Sequence, residues 1–356
     1  VPLLTNLYID KMEKMTPIKP FVINHENCNL QLDVDNPNEV GADRICNSFA
    51  AQKLYGITEN DITLTPTPLY HSISQRLVLM PLMTGGTCVV MKNFTTKGWF
   101  EMVEKHKITF CIAVSAQLEM ILEELNDAKK DLTSMRCIVG CCALLRDDVK
   151  KRLFNAFNCD VHECYGASEV GIVSNLSCHE AKNKLHTVGL AVPEADIRIV
   201  DDSGCEVPSG TIGEITCKSK ASFSRYYGNE ESTRNSLRNG YFYTGDMGYM
   251  DEDSHLIFSG RKKEIIITGG TNVFPADVEV VLNQHPLVKE TSVVGVEDGK
   301  LGEKVVAFVI PMEGKTVSNR DLQRHCINNL ADYQKPLDYV FVLEFPRTAL
   351  GKVLKR

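Results

Sequence analysis

Ile108-Thr109-Phe110-Cys111-Ile112-Ala113-Val114 is the stretch whose reading decides the fold. It is short, apolar, and rich in β-branched and aromatic residues, so it reads as a buried strand. Working outward, Gly86-Thr87-Cys88-Val89-Val90-Met91 on one side and Met135-Arg136-Cys137-Ile138-Val139 on the other have the same character. Between and beyond them, Gln117–Asn126 and Arg146–Phe157 carry apolar residues at helical spacing. Strands alternating with helices over residues 60–165 imply an α/β arrangement, a mostly parallel sheet covered by helices on both faces.

From about residue 186 the pattern changes. Strands shorten and turn signals crowd in: Asp202-Ser203-Gly204, Pro208-Ser209-Gly210 and Arg238-Asn239-Gly240. This predicts a β-rich subdomain. After the charged stretch Arg261-Lys262-Lys263-Glu264 comes a compact α+β pattern. Its expected strands are Ser292–Val296, Val305–Ile310 and Tyr339–Leu343, with a helix over Asn319–Leu330. The predicted organisation is a large N-terminal domain over 1–260 and a small, mobile α+β C-terminal domain over 261–356, joined near Lys263.

The composition bounds the function. At 356 residues the chain exceeds one ordinary core, and 43% apolar with 24% charged residues is that of a globular protein. A net charge of −7, with no basic block, argues against nucleic acid as the main partner. No apolar run approaches membrane-spanning length. Thirteen cysteines at irregular spacing do not form a disulfide framework, which points to a reducing, cytoplasmic setting. The cluster Cys137, Cys141 and Cys142 lacks paired zinc-ligand spacing and reads as buried free thiols. The opening Val1-Pro2, without Met, reads as the start of a fragment.

Several short motifs carry chemistry. Tyr165-Gly166-Ala167-Ser168-Glu169 offers a flat ring for a base, a glycine for a tight turn beside a ligand, a hydroxyl for phosphate and a hard oxygen for Mg²⁺. Alone it reads more readily as a strand-end turn with a capping serine. The nucleophile elbow of hydrolases is absent, because Gly171 lies one residue too far from Ser168. Tyr243-Thr244-Gly245-Asp246-Met247-Gly248 places a carboxylate between glycines, suited to a pair of ribose hydroxyls or simply to a β-turn. Gly260-Arg261-Lys262-Lys263-Glu264 is followed by Thr268-Gly269-Gly270-Thr271-Asn272-Val273-Phe274-Pro275-Ala276-Asp277-Val278-Glu279, where Pro275 marks a helix start. The end, Phe345-Pro346-Arg347-Thr348-Ala349-Leu350-Gly351-Lys352, offers a lysine on a glycine-containing loop.

In that order and spacing, these motifs closely resemble the adenylate-forming superfamily, and within it the AMP-forming acyl-CoA synthetases. The resemblance spans about residue 40 to the end. It implies ATP-dependent activation of a carboxylate to acyl-AMP, then transfer to the thiol of coenzyme A, with ATP, Mg²⁺ and CoA required. It also implies residue roles. Tyr165 and Gly166 flank the adenine, with Cys141 and Cys142 beside it. Ser168 contacts phosphate, and Glu169 helps hold Mg²⁺. Asp246 takes the ribose, with Arg261 nearby. Lys352 bridges the carboxylate and the α-phosphate. Gly269 and Gly270 line the channel for the pantetheine arm, and Lys263 is the hinge. Pro68-Leu69-Tyr70-His71 resembles the family's acyl-pocket motif. His71, Cys111, Ile112, Val114 and Gly171 are the expected acyl-pocket residues. A histidine at position 71, where amino-acid-activating relatives usually carry Asp, implies an acid without an α-amino group.

The sequence departs from the family in three places. The Ser/Thr/Gly-rich phosphate loop should lie just before residue 40, but Asp33-Val34-Asp35-Asn36-Pro37-Asn38-Glu39 stands there. The expectation is a missing part rather than an inactive relative, since every downstream motif survives. Gly140-Cys141-Cys142-Ala143 replaces the usual Gly-Gly-Ala and would narrow the adenine or acyl space. Asp277 stands where the helix usually begins with Glu. Two alternatives remain: an enzyme loading a carrier protein's phosphopantetheine, and a non-catalytic nucleotide-binding relative.

Overall fold

The computed structural model describes residues 53–69, 71–125, 130–348 and 353–355. The chain divides into two compact units. One comprises the residues up to Asn183 together with Ser219–Phe223; the other comprises Lys184–Lys218 and Ser224 onward.

In the first unit, β1 (Ile62–Thr65), β2 (Thr87–Val90), β3 (Phe110–Val114), β4 (Cys137–Cys141) and β5 (Asp160–Ala167) are all parallel, in the order β2-β1-β3-β4-β5. β6 (Gly171–Ser177) then turns back antiparallel to β5. The helices α1 (Ser72–Thr84), α2 (Thr96–His106), α3 (Ser115–Leu125) and α4 (Asp147–Ala156) make the crossovers. They cover both faces, as residue alternation in β1 shows. Leu64 points into a core with Trp99 and Phe100 of α2, Leu118 and Ile121 of α3, and Val149 and Leu153 of α4. Its neighbour Thr63 faces the other way and donates its hydroxyl to the Leu77 carbonyl of α1 at 2.7 Å. The expected strand Ile108–Val114 begins two residues later than its apolar run, because Ile108 and Thr109 serve the turn after α2. Lys107 there takes a left-handed conformation and ends the helix.

In the second unit, β8 (Asp196–Val200), β9 (Gly213–Lys218), β10 (Leu237–Arg238), β11 (Tyr241–Met250) and β12 (Leu256–Arg261) form an antiparallel sheet in the order β10-β11-β9-β8, with β12 on β11; β7 (Leu190–Ala191) precedes it. This is the predicted β-rich region. The Asn239-Gly240 signal is a two-residue hairpin turn with both residues at positive φ, the geometry that matches strand twist. A short helix, α5 (Glu230–Ser236), precedes β10.

The third sheet runs β14-β13-β16-β15, with β17 beside β16: β13 (Ile266–Thr268), β14 (Thr271–Val273), β15 (Val288–Asp298), β16 (Gly302–Pro311) and β17 (Asp338–Phe341). Helices α6 (Pro275–Asn283) and α7 (Asn319–Asn329) supply Val278, Leu282, Leu322 and Cys326 to its core. Pro275 stands at the helix start, as read from sequence. The α7 start is fixed by Ser318 and Asp321, each bonding the other's backbone.

Gly269-Gly270 is the turn of the β13–β14 hairpin, at φ 56° and 80°. Empty space surrounds the position of a Gly270 Cβ, so only backbone conformation restricts it. Gly270→Ala is expected to destabilise this hairpin by about 1–2 kcal/mol, and Gly270→Asn by much less. Amide-exchange protection across residues 266–273 measures it; equal loss in both variants would show a packing cause instead. Among the described residues no helix is long and apolar enough to cross a membrane.

Candidate active site

Parallel pairing aligns the carboxyl ends of β1, β3, β4 and β5 along one edge of the first unit's sheet: Val114 pairs with Cys141, and Gly140 with Glu163. Loops at this edge are where open α/β sheets bind ligands. His71 belongs here, at the start of α1 just after β1. Tyr70, the aromatic of that motif, lies outside the described residues. Gln117 braces the edge. It accepts from the Val114 backbone N–H at 3.2 Å and donates to the Pro66 carbonyl at 3.3 Å. Ser115 donates to the Ala143 carbonyl at 2.5 Å, tying β3 to the loop after β4. Sequence reading missed both braces, since nothing in a Ser or Gln at a helix start signals a long-range partner.

Cys111 does not face this edge. Its side chain is in the helix-side core with Leu64 and Trp99. Burial pushes its thiol up to about 12, only partly offset by Trp99. Ile112 and Val114 point to the opposite face of β3. Cys141 and Cys142 lie where β4 ends, their sulfurs 3.9 Å apart. Hydrogen bonds with Cys142 and Cys164, and then burial, hold the Cys141 thiol well above its ordinary range, so it stays uncharged. Cys142 is exposed and sits at φ 73°, a conformation that favours glycine.

The Tyr165–Glu169 motif is the β5–β6 hairpin. Ala167 pairs with Gly171, leaving Ser168, Glu169 and Val170 as a three-residue turn closed by the Val170 N–H on the Ala167 carbonyl at 3.3 Å. Gly171 takes the left-handed position that such turns need, φ 74°. Gly166 is required for a different reason from the tight turn expected of it. A Cβ there would lie 2.0 Å from the Gly171 carbonyl oxygen. Ser168 is exposed at the turn, and Glu169 is half-buried beside it. That hydroxyl and carboxylate suit a hard cation with phosphate oxygens. Residues Ser219–Phe223, unmarked in the sequence, rest on the turn. Ser219 donates to the Val170 carbonyl and the Phe223 N–H to the Glu169 carbonyl, both at 2.6 Å.

Lys150 and Glu163 lie beneath this edge, 1% and 3% exposed and 2.6 Å apart. Glu163 also accepts from the Leu145 N–H at 2.8 Å, so one carboxylate joins α4, β5 and the loop after β4. Burial pushes Glu163 above the usual carboxylate range, against the pull of Lys150.

In the second unit, Asp246 and Arg261 are cross-strand partners on β11 and β12, with Arg261 Nε 3.5 Å from Asp246 Oδ1. Asp246 sits within a strand rather than in a β-turn. The β11–β9 register shifts between Tyr243 and Met247, and the Gly245 and Asp246 amides find other acceptors. Gly245 donates to Glu214 at 3.2 Å and Asp246 to the Thr244 hydroxyl at 3.0 Å. Lys262 bonds the other Glu214 oxygen at 3.1 Å and Asp202 at 2.8 Å. Glu214 thus ties the Asp246 bulge to the short 3₁₀ turn Lys262–Glu264, which contains the exposed Lys263. The Asp246 side chain is only 16% exposed and Arg261 42%.

Lys352 lies outside the described residues, as does the stretch 33–39. The flanks of Lys352 are anchored. Arg347 pairs with Val353 and reaches Glu290, the Leu354 N–H bonds the Pro346 carbonyl at 2.8 Å, and Lys355 bonds Glu279 at 2.7 Å. Burial raises the Glu279 carboxylate despite Lys355. The last residue of the Pro275–Glu279 motif therefore holds the C-terminal segment. By spacing alone it had only a place near a helix start.

The pattern of the AMP-binding enzyme family matches residues 38–227, and that of the AMP-binding enzyme C-terminal domain matches residues 277–352. A type III pantothenate kinase pattern matches residues 1–62, which are described only from residue 53. Among curated proteins, the chain is 33% identical to an indoleacetate–CoA ligase of Aromatoleum aromaticum, covering 87% of this chain and 61% of that protein. It is 31% identical to the fatty acid–[acyl-carrier-protein] ligase ScoC of Streptomyces coeruleorubidus, covering 83% and 58%. The chain thus spans about three fifths of the length of these relatives. The structure resembles the o-succinylbenzoate CoA synthetase of Bacillus subtilis in complex with its acyl-adenylate intermediate, with TM-score 0.81 and 28% identity over 92% of this chain and 69% of that one. With both family patterns matched and the fold shared, the chain belongs to the AMP-binding enzyme family of the adenylate-forming superfamily.

Proposed function

We propose that the protein containing this chain activates a carboxylic acid with ATP and passes the acyl group to the thiol of coenzyme A. The observation that carries this reading is the run of matched motifs on two well-built scaffolds: the Ser168–Glu169 turn on the first unit's carboxyl edge, and the braced Asp246–Arg261 pair in the second. In the first unit, Tyr165 offers its ring and Gly166 its backbone to the adenine, with Cys141 and Cys142 narrowing that space. Ser168 takes a phosphate oxygen. Glu169 would hold Mg²⁺, which neutralises phosphate charge when bound. A structure of the Bacillus subtilis synthetase with ATP and magnesium supports that requirement. His71, Ile112, Val114 and Gly171 border the acyl group. Cys111 contributes packing behind them.

In the second unit, Asp246 accepts the two ribose hydroxyls and Arg261 holds it in place. Lys352 brings a fixed ammonium to the carboxylate and α-phosphate as they meet, where charge builds in the transition state. Residues 261–356 act as a cap domain turning about Lys263, which exchanges Lys352 for the Gly269-Gly270 turn in the thioester step. Free thiols throughout the described cysteines support a reducing, cytoplasmic setting. The indoleacetate and fatty-acid ligases among the relatives support an aryl or alkyl carboxylic acid as the substrate class. The carrier-protein relative favours holo-carrier protein as the alternative acceptor.

The test is Lys352→Ala in the full-length protein, with AMP release measured across a panel of aryl and alkyl carboxylates. Adenylation should fall at least about 100-fold, while thioester formation from supplied acyl-adenylate stays within a few fold. Equal loss of both half-reactions would remove the role assigned to Lys352. Absence of ATP–pyrophosphate exchange with every acid in the wild type would favour the non-catalytic alternative.

A further inference from the structure

The start of β5 and the end of β6 bring three metal-binding groups together. Asp160, Cys178 and His179 each offer a ligand atom, and these atoms all lie within 4.8 Å of one another. The antiparallel register accounts for the Asp160–His179 pair. His162 pairs with Ser177 and Glu163 with Leu176, so continuing the ladder outward sets Val161 opposite Cys178 and Asp160 opposite His179. His179 Nε2 is 2.8 Å from Asp160 Oδ1. Cys178 begins the turn and its thiol curls back over the ladder. The Cys178 N–H donates to the Val161 carbonyl at 2.8 Å, and the Val161 N–H donates to the Cys178 sulfur at 3.5 Å.

We infer that Asp160, Cys178 and His179 form a binding site for a divalent transition-metal ion of zinc type, with water or a neighbouring group as the fourth ligand. A tetrahedral zinc with ligands at about 2.0–2.3 Å has donor atoms about 3.3–3.8 Å apart. The Asp160 and His179 atoms, 2.8 Å apart, stand closer than that, and the other separations reach no more than 4.8 Å, so modest side-chain adjustments bring the three donors around one ion. One sulfur, one imidazole nitrogen and one carboxylate oxygen suit zinc and its neighbours; a magnesium or calcium site would use oxygens only. The N–H bond to the Cys178 sulfur orients it as outer-shell donors orient thiolate ligands. The turn that presents Cys178 and His179 is held independently: Glu180 accepts from the Ser177 N–H at 3.4 Å and from its hydroxyl at 3.0 Å.

This site is separate from the Mg²⁺ position proposed above. Asp160 opens β5 and Ser168 follows its last residue, so eight residues at about 3.3 Å each put them roughly 26 Å apart. A metal at the lower end would pin the turn after β6 to the start of β5 and stabilise the hairpin whose upper end carries Ser168 and Glu169. The inference does not depend on any catalytic assignment.

The experiment compares the full chain with Cys178→Ser and His179→Ala. Zn²⁺ titration by calorimetry counts bound equivalents, and Co²⁺ substitution reads the thiolate-to-metal charge-transfer band. The wild type should bind one equivalent more than either variant, or bind it at least about tenfold more tightly. The Co²⁺ band should disappear in Cys178→Ser. Zn²⁺ should raise the unfolding midpoint of the wild type and leave both variants unchanged. Zn²⁺ bound equally by all three proteins, or a Co²⁺ complex lacking the thiolate band in the wild type, overturns the site. The variants replace partly exposed side chains at a turn, and their metal-free unfolding midpoints verify that they fold.

Discussion

Gly166→Ala should unfold the β5–β6 hairpin or force it into another register, with a stability loss above about 3 kcal/mol. The cause is a backbone collision. An added methyl carbon would sit 2.0 Å from the Gly171 carbonyl oxygen and 2.9 Å from both the Gly171 carbonyl carbon and Ile172 Cα. None of these atoms belongs to a flexible side chain that could move aside. Relief requires separating two strands paired from His162–Ser177 to Ala167–Gly171. The loss would also displace Ser168 and Glu169, which the turn carries. Trp99 is the chain's one tryptophan, and it is buried in the first unit's core. Its fluorescence therefore reports unfolding of this unit, and a urea titration measures the effect. Ala167→Gly is the control; it lengthens no side chain and should cost about 1 kcal/mol or less. A wild-type midpoint in Gly166→Ala would mean that the strands are not this close.

Lys150→Met should cost about 3–5 kcal/mol at neutral pH by the same Trp99 measurement. The substitution keeps a long apolar stem but leaves the Glu163 carboxylate buried without its ammonium. Burial already pushes Glu163 above the ordinary carboxylate range with Lys150 present. Without it, the folded-state value rises further above the unfolded one. Such a group favours the folded state below its unfolded pKa and loses that advantage as pH rises through its folded pKa. The deficit of the variant should therefore shrink toward pH 5 and widen toward pH 8. Adding Glu163→Leu to Lys150→Met removes the uncompensated charge and should recover most of the loss, less the Leu145 N–H bond. A deficit independent of pH, unrelieved in the double variant, would assign the cost to packing at α4 rather than to the ion pair.

Elements whose own residues settle their conformation are legible in the sequence. The runs around Cys111, Cys137 and Val89 are strands because a continuous apolar segment of that length has few other stable fates. Asn239-Gly240 is a hairpin turn and Pro275 a helix start, because backbone preferences there are local. Boundaries slip by a residue or two where a cap decides them, as at Lys107. The motif Tyr165–Glu169 is recognisable from its residues, but its shape is not. Whether Gly166 makes a turn or gives way to a facing strand depends on β6, whose pairing partner cannot be read from either strand alone.

The sequence by itself determined the family, the order of elements and the candidate residues from Tyr165 to Lys352, because these rest on residue type and spacing along the chain. Tertiary structure alone decided three things. Cys111 turns into the core and away from the carboxyl edge, because strand alternation points it that way. Gln117, Glu163 and Glu214 brace the candidate site through partners far off in sequence. Asp160 meets His179 across an antiparallel register. Each depends on which segments pair in space. Chain order does not specify that pairing until burial and hydrogen bonding select one arrangement of the strands.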